Sequence, residues 1–321
     1  MKRAGLASTD DMVWLEGGVF KMGSDAHYPE EAPLHPARVD GFWIDRAPVS
    51  NGQFARFVEE TGYVTTAEIA PDPKDYPGAL PEMCRPASLV FVAPPGPVDL
   101  SNVFNWWSYV FDANWRHPQG PGSGIENLMD HPVTHVSHAD ATAFAQWAGK
   151  DLPTEAEWEY AAWGGTENAE FSWGDELEPG GQHRANVWQG AFPWQNTGAD
   201  GFERTSPIGS FPPNGFGLYD MIGNTWEWTD DWYLTRHASP SPKPCCIPHN
   251  PRGGGPGTSH DPADAARIAR KVVKGGSHLC APNYCRRYRP AARHPHPVDT
   301  STSHIGFRCI RRPAPTTSGH G

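Results

Sequence analysis

The sequence predicts an α+β fold: a single compact domain with low regular secondary structure, in which irregular backbone is pinned by aromatic side chains. Three observations carry this expectation. Gly and Pro number 34 each in 321 residues, too many breakers for long elements. The chain also holds 14 Trp, 14 Phe and 9 Tyr, which excludes disorder, since disordered sequences are poor in aromatics. No internal repeat and no linker divides the chain, so one domain is expected at 12–312, between flexible tails at 1–11 and 313–321.

The elements follow in order. Residues 12–24 read as a strand, a Gly-Gly turn and a second strand. Val39 to Asp45 alternates as another strand. A helix opens after Pro48, with Ser50 as N-cap, Gln53 closing the capping box, and Phe54, Phe57 and Val58 as the buried stripe. Residues 68–104 are proline-rich, with Ser88-Leu-Val-Phe-Val as a short strand. Trp106-Trp107 and the run Asn114-Trp115-Arg116-His-Pro-Gln-Gly-Pro read either as loop packing or as the wall of a recognition groove, because aromatics beside Arg are common contact residues.

Ser137 caps a second helix whose apolar face is Ala141, Phe144, Ala145 and Ala148. Thr154 caps a third, with Glu157 closing the box. His131, His135 and His138 lie at a strand-to-loop position beside Pro, which favours structure over metal. Ala185-Asn-Val-Trp and Asn196-Thr-Gly-Ala-Asp-Gly-Phe supply Asn and Asp amid Gly, either as turn residues or as oxygen ligands for Ca²⁺. Residues 236–270 read as a loop insertion without periodicity, with Cys245 and Cys246 as free thiols.

The net charge of −11 argues against a nucleic-acid partner, which wants a basic face. No apolar run approaches a membrane span, and the first residues lack the apolar core of a signal peptide. Six cysteines make no dense secreted framework. The expected compartment is the cytoplasm.

The stretch that concentrates chemistry is Lys274-Gly-Gly-Ser-His-Leu-Cys280-Ala-Pro-Asn-Tyr-Cys285-Arg-Arg-Tyr-Arg. Gly275 and Gly276 allow positive-φ backbone, and Pro282 prevents a regular helix through the pair. Arginines follow at 286, 287, 289 and 293. Basic neighbours lower a thiol pKa and raise the thiolate fraction. Three readings compete: a structural disulfide or inert buried thiols, half of a zinc site, or a two-thiolate site for a soft ion. Zinc wants a second Cys pair, and none has that spacing. Thiolates select Cu(I), with room left for a third ligand.

The string K-G-G-S-x-x-C-x-P-x-Y-C-R-x-Y-R-x-A-A-R, followed by S-x-x-G-F-R-C, closely resembles the end of the formylglycine-generating enzymes. The resemblance runs from about Met12 to Arg312. It takes in W-R-H-P-x-G-P at 115–121, Leu152-Pro-Thr-Glu-Ala-Glu-Trp-Glu, and Gly215-Phe-Gly-Leu-Tyr-Asp-Met-Ile-Gly-Asn-Thr-Trp-Glu-Trp-Thr. It implies a C-type-lectin-like architecture and an oxidase that converts one cysteine of a sulfatase, in a C-x-P-x-R motif, to formylglycine. O₂ and a thiol reductant would be consumed, and a monomer is expected.

The resemblance also implies a site. Cys280 and Cys285 would hold Cu(I), with Ser277, Trp226 and Tyr284 handling substrate and oxygen. Ser88, Trp106, Trp107, Trp115, Arg116 and His304 would bind the substrate. One Ca²⁺ would take Asn186, Val187, Asp200 and Phe202, and a second Asp220, Gly223, Thr225 and Glu227. There are departures. The vertebrate disulfides are excluded by Ala145 opposite Cys309 and by Ala162 and Pro290. Ala281 stands where some relatives have His, and Ala87 where some have the Asp that meets the target arginine. Two rival readings are a non-haem iron sulfoxide synthase of the same fold and a lectin-like binding module without catalysis.

Overall fold

Residues 9–74, 76, 80–167, 169–238, 247–264 and 266–314 are described by the computed structural model. Strand β1 (Met12–Leu15) and strand β2 (Gly18–Met22) flank the Gly-Gly turn as the sequence predicts. They do not pair with each other. The expected single strand over 39–45 is two, β3 (His35–Val39) and β4 (Phe42–Asp45), broken at Asp40 and Gly41. The break has a packing cause. A Cβ on Gly41 would stand 2.6 Å from the Trp14 ring, and the Asp40 carboxylate is tied to His249 at 2.7 Å and Asn250 at 2.8 Å. The corner lets the chain change sheets: β2 pairs with β3, while β1 pairs with β4.

The three predicted helices form where their caps place them: α1 (Asn51–Thr61), α2 (His138–Trp147) and α3 (Glu155–Trp163). Ser50, Ser137 and Thr154 each accept from the N3 amide, and the N3 side chain answers the cap amide. Phe54, Phe57 and Phe144 turn inward with Trp115 and Phe307, their ring centroids 5.1–6.4 Å apart. Ala148, expected on the apolar face of α2, is its C-cap and packs, half-buried, against the same core as Ala141, Phe144 and Ala145.

Strands β5 (Ala87–Phe91) and β6 (Trp107–Phe111) form an antiparallel pair. The largest sheet takes β7 (Trp226–Trp232), β8 (Arg270–Lys274), β9 (Arg293–Pro297) and β10 (Ile305–Gly306) in the order β10-β7-β8-β9, with β10 parallel to β7. Strand β11 (Ile310–Arg311) returns to β4, so the last strand shares a sheet with the first. The described part of the expected insertion packs on the domain: Arg252 pairs with Asp230 and Asp231, both at 2.7 Å. Cys245 and Cys246 lie outside the described residues. Among those residues no helix is long and apolar enough to cross a membrane.

The core contains charge. Arg308 grips both Glu227 oxygens at 2.7 Å, Trp158 Nε1 donates to the same carboxylate at 2.8 Å, and both charged side chains are sealed from solvent. Breaking such a pair from one side typically costs about 3–5 kcal/mol, whereas replacing both partners by apolar groups is often neutral. Arg308→Met is therefore expected to lower the urea midpoint sharply, and Glu227→Leu/Arg308→Met to recover part of the loss. Equal midpoints for wild type and Arg308→Met would refute the structural role.

Acid should weaken the fold through buried imidazoles. Burial holds His135, His138 and His296 down at about 4, and His237 and His294 at about 3. The unfolded chain protonates such rings near the ordinary 6.5, so unfolding takes up protons between these limits. The stabilisation is full above 6.5 and declines as pH falls towards 4. Urea midpoints measured from about pH 7 down to about pH 5 should fall; a flat profile would contradict this.

Candidate active site

The connection between β8 and β9 builds the site. Gly275 and Gly276 leave β8 with φ of 93° and 73°. A Cβ on Gly276 would stand 2.9 Å from Arg287 O and Tyr288 Cα, so the missing side chain lets the outgoing and returning limbs touch. Two tight turns follow: Cys280 N donates to Ser277 O, and Cys285 N to Ala281 O, each at 2.9 Å. Pro282 stops the second turn from growing into a helix. The chain folds back on itself and sets the two sulfurs 3.4 Å apart, both as free thiols.

The two sulfurs differ. Cys280 is buried, and burial, together with its hydrogen bond and charge coupling to Cys285, pushes its thiol well above the usual range. Cys285 receives the Cys280 hydrogen bond, which, with the Arg287 guanidinium, pulls it down to about 6 against the opposing effect of burial. The asymmetry favours negative charge on Cys285 and the proton on Cys280. Ser277 N donates to Cys280 Sγ at 3.4 Å, and Arg287 Nη1 reaches Cys285 Sγ at 3.8 Å.

Of the four arginines expected to make a basic spot, Arg287 alone is drawn to a sulfur. Arg286 pairs with Glu170, Arg289 with Glu31 and Arg293 with Glu155, each at 2.6 Å. Long-range carboxylates neutralise most of what the local sequence promised.

The aromatic residues split into two groups. Tyr284, partly exposed, stacks on Phe192 at 4.5 Å and meets Trp106 edge-on at 5.3 Å. Trp107 lies 4.7 Å from the His304 ring. Tyr284 adjoins Cys285 in the chain and carries Trp106 against it, while Trp107 packs on the Trp106 cluster and links it to His304. Trp226 is buried in the apolar cluster that also contains Cys280. Trp115 is buried under α1, with Arg116 folded over its ring at 4.1 Å. Ser88 is buried as well, bonded to Ser301 and to His135 at 2.7 Å, so it props the β5 strand. Trp188 and Phe192 were missed as wall residues. Trp188 N donates to Cys280 O at 3.0 Å, but the sequence around it points only to calcium oxygens. A cavity of about 150 Å³ does not contain the sulfurs; it meets the site loop through His278 and β5 through Phe91.

The expected calcium oxygens are distributed as follows. Val187 O and Asp200 Oδ2 both accept from Gln189 Nε2, which stands between them as a partial positive charge. Asn186 Nδ2 donates to Arg204 O at 2.8 Å, and Phe202 N donates to Asp200 Oδ1 at 3.0 Å. Asp220 is buried, and burial, with the Glu227 charge adding to it, pushes its carboxyl up to about 6. Gly209 N donates to its Oδ2 at 2.8 Å. Gly223 turns with φ of 78°, and Thr225 Oγ1 is buried without a partner. Among the described residues no three His, Cys, Asp or Glu side chains converge as a metal cluster.

The chain matches the model of the sulfatase-modifying factor enzyme 1-like domain over residues 1–313. It is 52% identical over 304 residues to the formylglycine-generating enzyme of Mycobacterium tuberculosis, covering 94% of this chain and 98% of that one. It is 46% identical to the formylglycine-generating enzyme of Mus musculus, covering 95% of this chain and 76% of that one. Its fold matches PvdO from Pseudomonas aeruginosa with a TM-score of 0.60 at 23% identity, over 94% of each chain. The chain therefore belongs to the family of the sulfatase-modifying factor enzyme 1-like domain.

Proposed function

We propose that this protein oxidises one cysteine of a sulfatase polypeptide to formylglycine, the activity named in its relatives, and that Cys280 and Cys285 carry the chemistry. The observation that supports this most is the pair itself: two free thiols 3.4 Å apart at the end of an aromatic wall, in a chain 52% identical to an enzyme so named.

The donor set fits Cu(I) and fits iron poorly. Two sulfurs at this separation, one with its pKa lowered to about 6, suit a soft ion of low coordination number. A non-haem iron site would need a triad of ligands, and the described side chains offer no such cluster. When bound, Cu(I) would supply an open position for a substrate sulfur and electron transfer with O₂.

The chain's own groups have defined tasks. Cys280 would release its proton as it becomes a ligand. Arg287 would balance the charge that remains on Cys285. Tyr284 and Trp107, backed by the buried Trp106, would seat an extended peptide and exclude water. The electron balance sets the other partners. Converting a thiol-bearing CH₂ to an aldehyde and sulfide, with water, releases two electrons and two protons, while full reduction of O₂ to water takes four of each. Two electrons and two protons must come from outside, so a thiol reductant is required. The arginine of a C-x-P-x-R target would need a carboxylate other than the one Ala87 replaces.

Two measurements test this reading. The first uses a C-x-P-x-R peptide with Cu(I), O₂ and dithiothreitol, read by the mass change at its cysteine. Cys280→Ser and Cys285→Ser should each lose turnover and most bound copper, because a hydroxyl is a poor ligand for a soft ion. Cys309→Ser should keep both. An active, copper-free Cys285→Ser protein would end the copper reading.

The second concerns Ca²⁺, proposed for Asp220 and its neighbours and for Asp200 and its neighbours. With free Ca²⁺ at about 100 times its dissociation constant, the gain in stability is about 2.7 kcal/mol. Chelation should lower the melting temperature of wild type, and less so that of Asp220→Ala. A wild type indifferent to chelator would remove the calcium assignment.

A further inference from the structure

Residues 28–31 stand more than 250 positions before the cysteines' loop, yet they lie against it just past Cys285. Tyr28 Oη accepts from Arg286 N at 2.9 Å. Glu31 holds Arg289 by two bonds, at 2.6 and 2.9 Å, in a pair sealed from solvent. Glu30 O accepts from Arg293 Nη1 at 3.0 Å. These contacts fasten the loop and touch no sulfur.

The Glu30 side chain is different. Its Oε1 takes Nε of Arg287 at 3.0 Å and Nη2 at 2.6 Å. The remaining arm of the fork, Nη1, is the one that reaches Cys285 Sγ at 3.8 Å. The Tyr28 ring lies 3.7 Å from the guanidinium carbon. The guanidinium is thus held by a carboxylate on one edge, a ring on one face and a sulfur at its far arm. The Arg287 side chain keeps 19% exposure, so without that carboxylate it has water to turn to. A cation acts on a partly buried sulfur through distance, and the effect fades as the separation grows.

We propose that Glu30 is a positioning residue for Cys285: it aims Arg287 at the sulfur and thereby sets how firmly the cysteine pair holds a soft metal ion. This rests on the copper reading and adds to it a residue from the other end of the chain. Glu31, one position on, has a structural task only. Arg287 is the intermediary, so the influence of Glu30 should vanish when Arg287 is gone.

The experiment is a double-mutant cycle on the full chain: wild type, Glu30→Gln, Arg287→Met, and the two together. Cu(I) affinity is read by anaerobic competition with bicinchoninate, alongside kcat and KM for the peptide and the melting temperature. Outer-shell partners of metal ligands typically contribute about 10–100-fold in affinity or activity. Glu30→Gln should weaken Cu(I) binding about tenfold and lower kcat, with KM and melting temperature near wild type. In the Arg287→Met background it should add nothing. Three results would overturn the proposal: Glu30→Gln binding Cu(I) as wild type does, the same loss from Glu30→Gln in both backgrounds, or a loss that tracks the melting temperature. A wild type that binds no Cu(I) overturns it together with the copper reading, whereas an unaffected Glu30→Gln beside a copper-binding wild type overturns the positioning role alone.

Discussion

Two cations face each other where the site loop leaves and rejoins its sheet. Lys274 ends β8, Arg293 begins β9, and the two are direct partners in the antiparallel ladder. Like charges at opposed positions repel, and here both side chains are buried. The resolution comes from one helix. Glu159 meets Lys274 at 2.8 Å, and Glu155, one turn earlier on α3, meets Arg293 at 2.6 Å and lies 3.9 Å from Lys274. Burial works against the Glu155 charge, but Arg293 first, with His237 and Lys274, more than offsets it and holds the carboxyl at about 2. Between those two glutamates, Trp158 donates to Glu227 on β7. One face of α3 therefore fixes three strands of the largest sheet. A loop with two consecutive positive-φ glycines and a proline could not keep its sulfurs in register without such a base.

That dependence explains which parts of the molecule were legible in the sequence. The helices were, because a capping box is a local device: Ser50 with Gln53 and Thr154 with Glu157 are each decided within four residues. The cysteine turn was too, since Gly275, Gly276 and Pro282 allow few other paths. The strand break at Gly41 was hidden, because the reason for it is the Trp14 ring across the sheet. The charge pairs were hidden for the same reason. Glu30, Glu31, Glu155 and Glu170 look like ordinary surface acids in sequence, and nothing local says that arginines at 286–293 are waiting for them. Family resemblance supplied the cysteines, but Ser88 and Trp115 show its limit: a residue at a matching position can be buried support in this fold.

All four arginines pair with carboxylates, but only Arg287 also reaches a sulfur, which has a chemical consequence for the pair. Had all four guanidinium groups faced the sulfurs, both thiols would have been driven to ionise together, and two adjacent thiolates would repel in a poorly hydrated site. Had none faced them, burial would have kept both protonated. With Arg287 alone in reach of a sulfur, the surroundings favour a single negative charge, on Cys285, and keep the Cys280 thiol hard to ionise. Such a pair is held together before any metal arrives.

The same charge count bears on how a metal would load. Under the copper reading, a monovalent ion joining one thiolate and one thiol releases a single proton, from Cys280, and leaves a site with one net negative charge opposite one guanidinium. A divalent ion would neutralise both sulfurs and leave Arg287 paired with Glu30, as it already is at 2.6 Å. Under the copper reading it is the softness of sulfur, not this charge count, that favours Cu(I). The acidity of Cys285 itself has two sources, the Cys280 hydrogen bond first and the Arg287 guanidinium after it, both acting against burial.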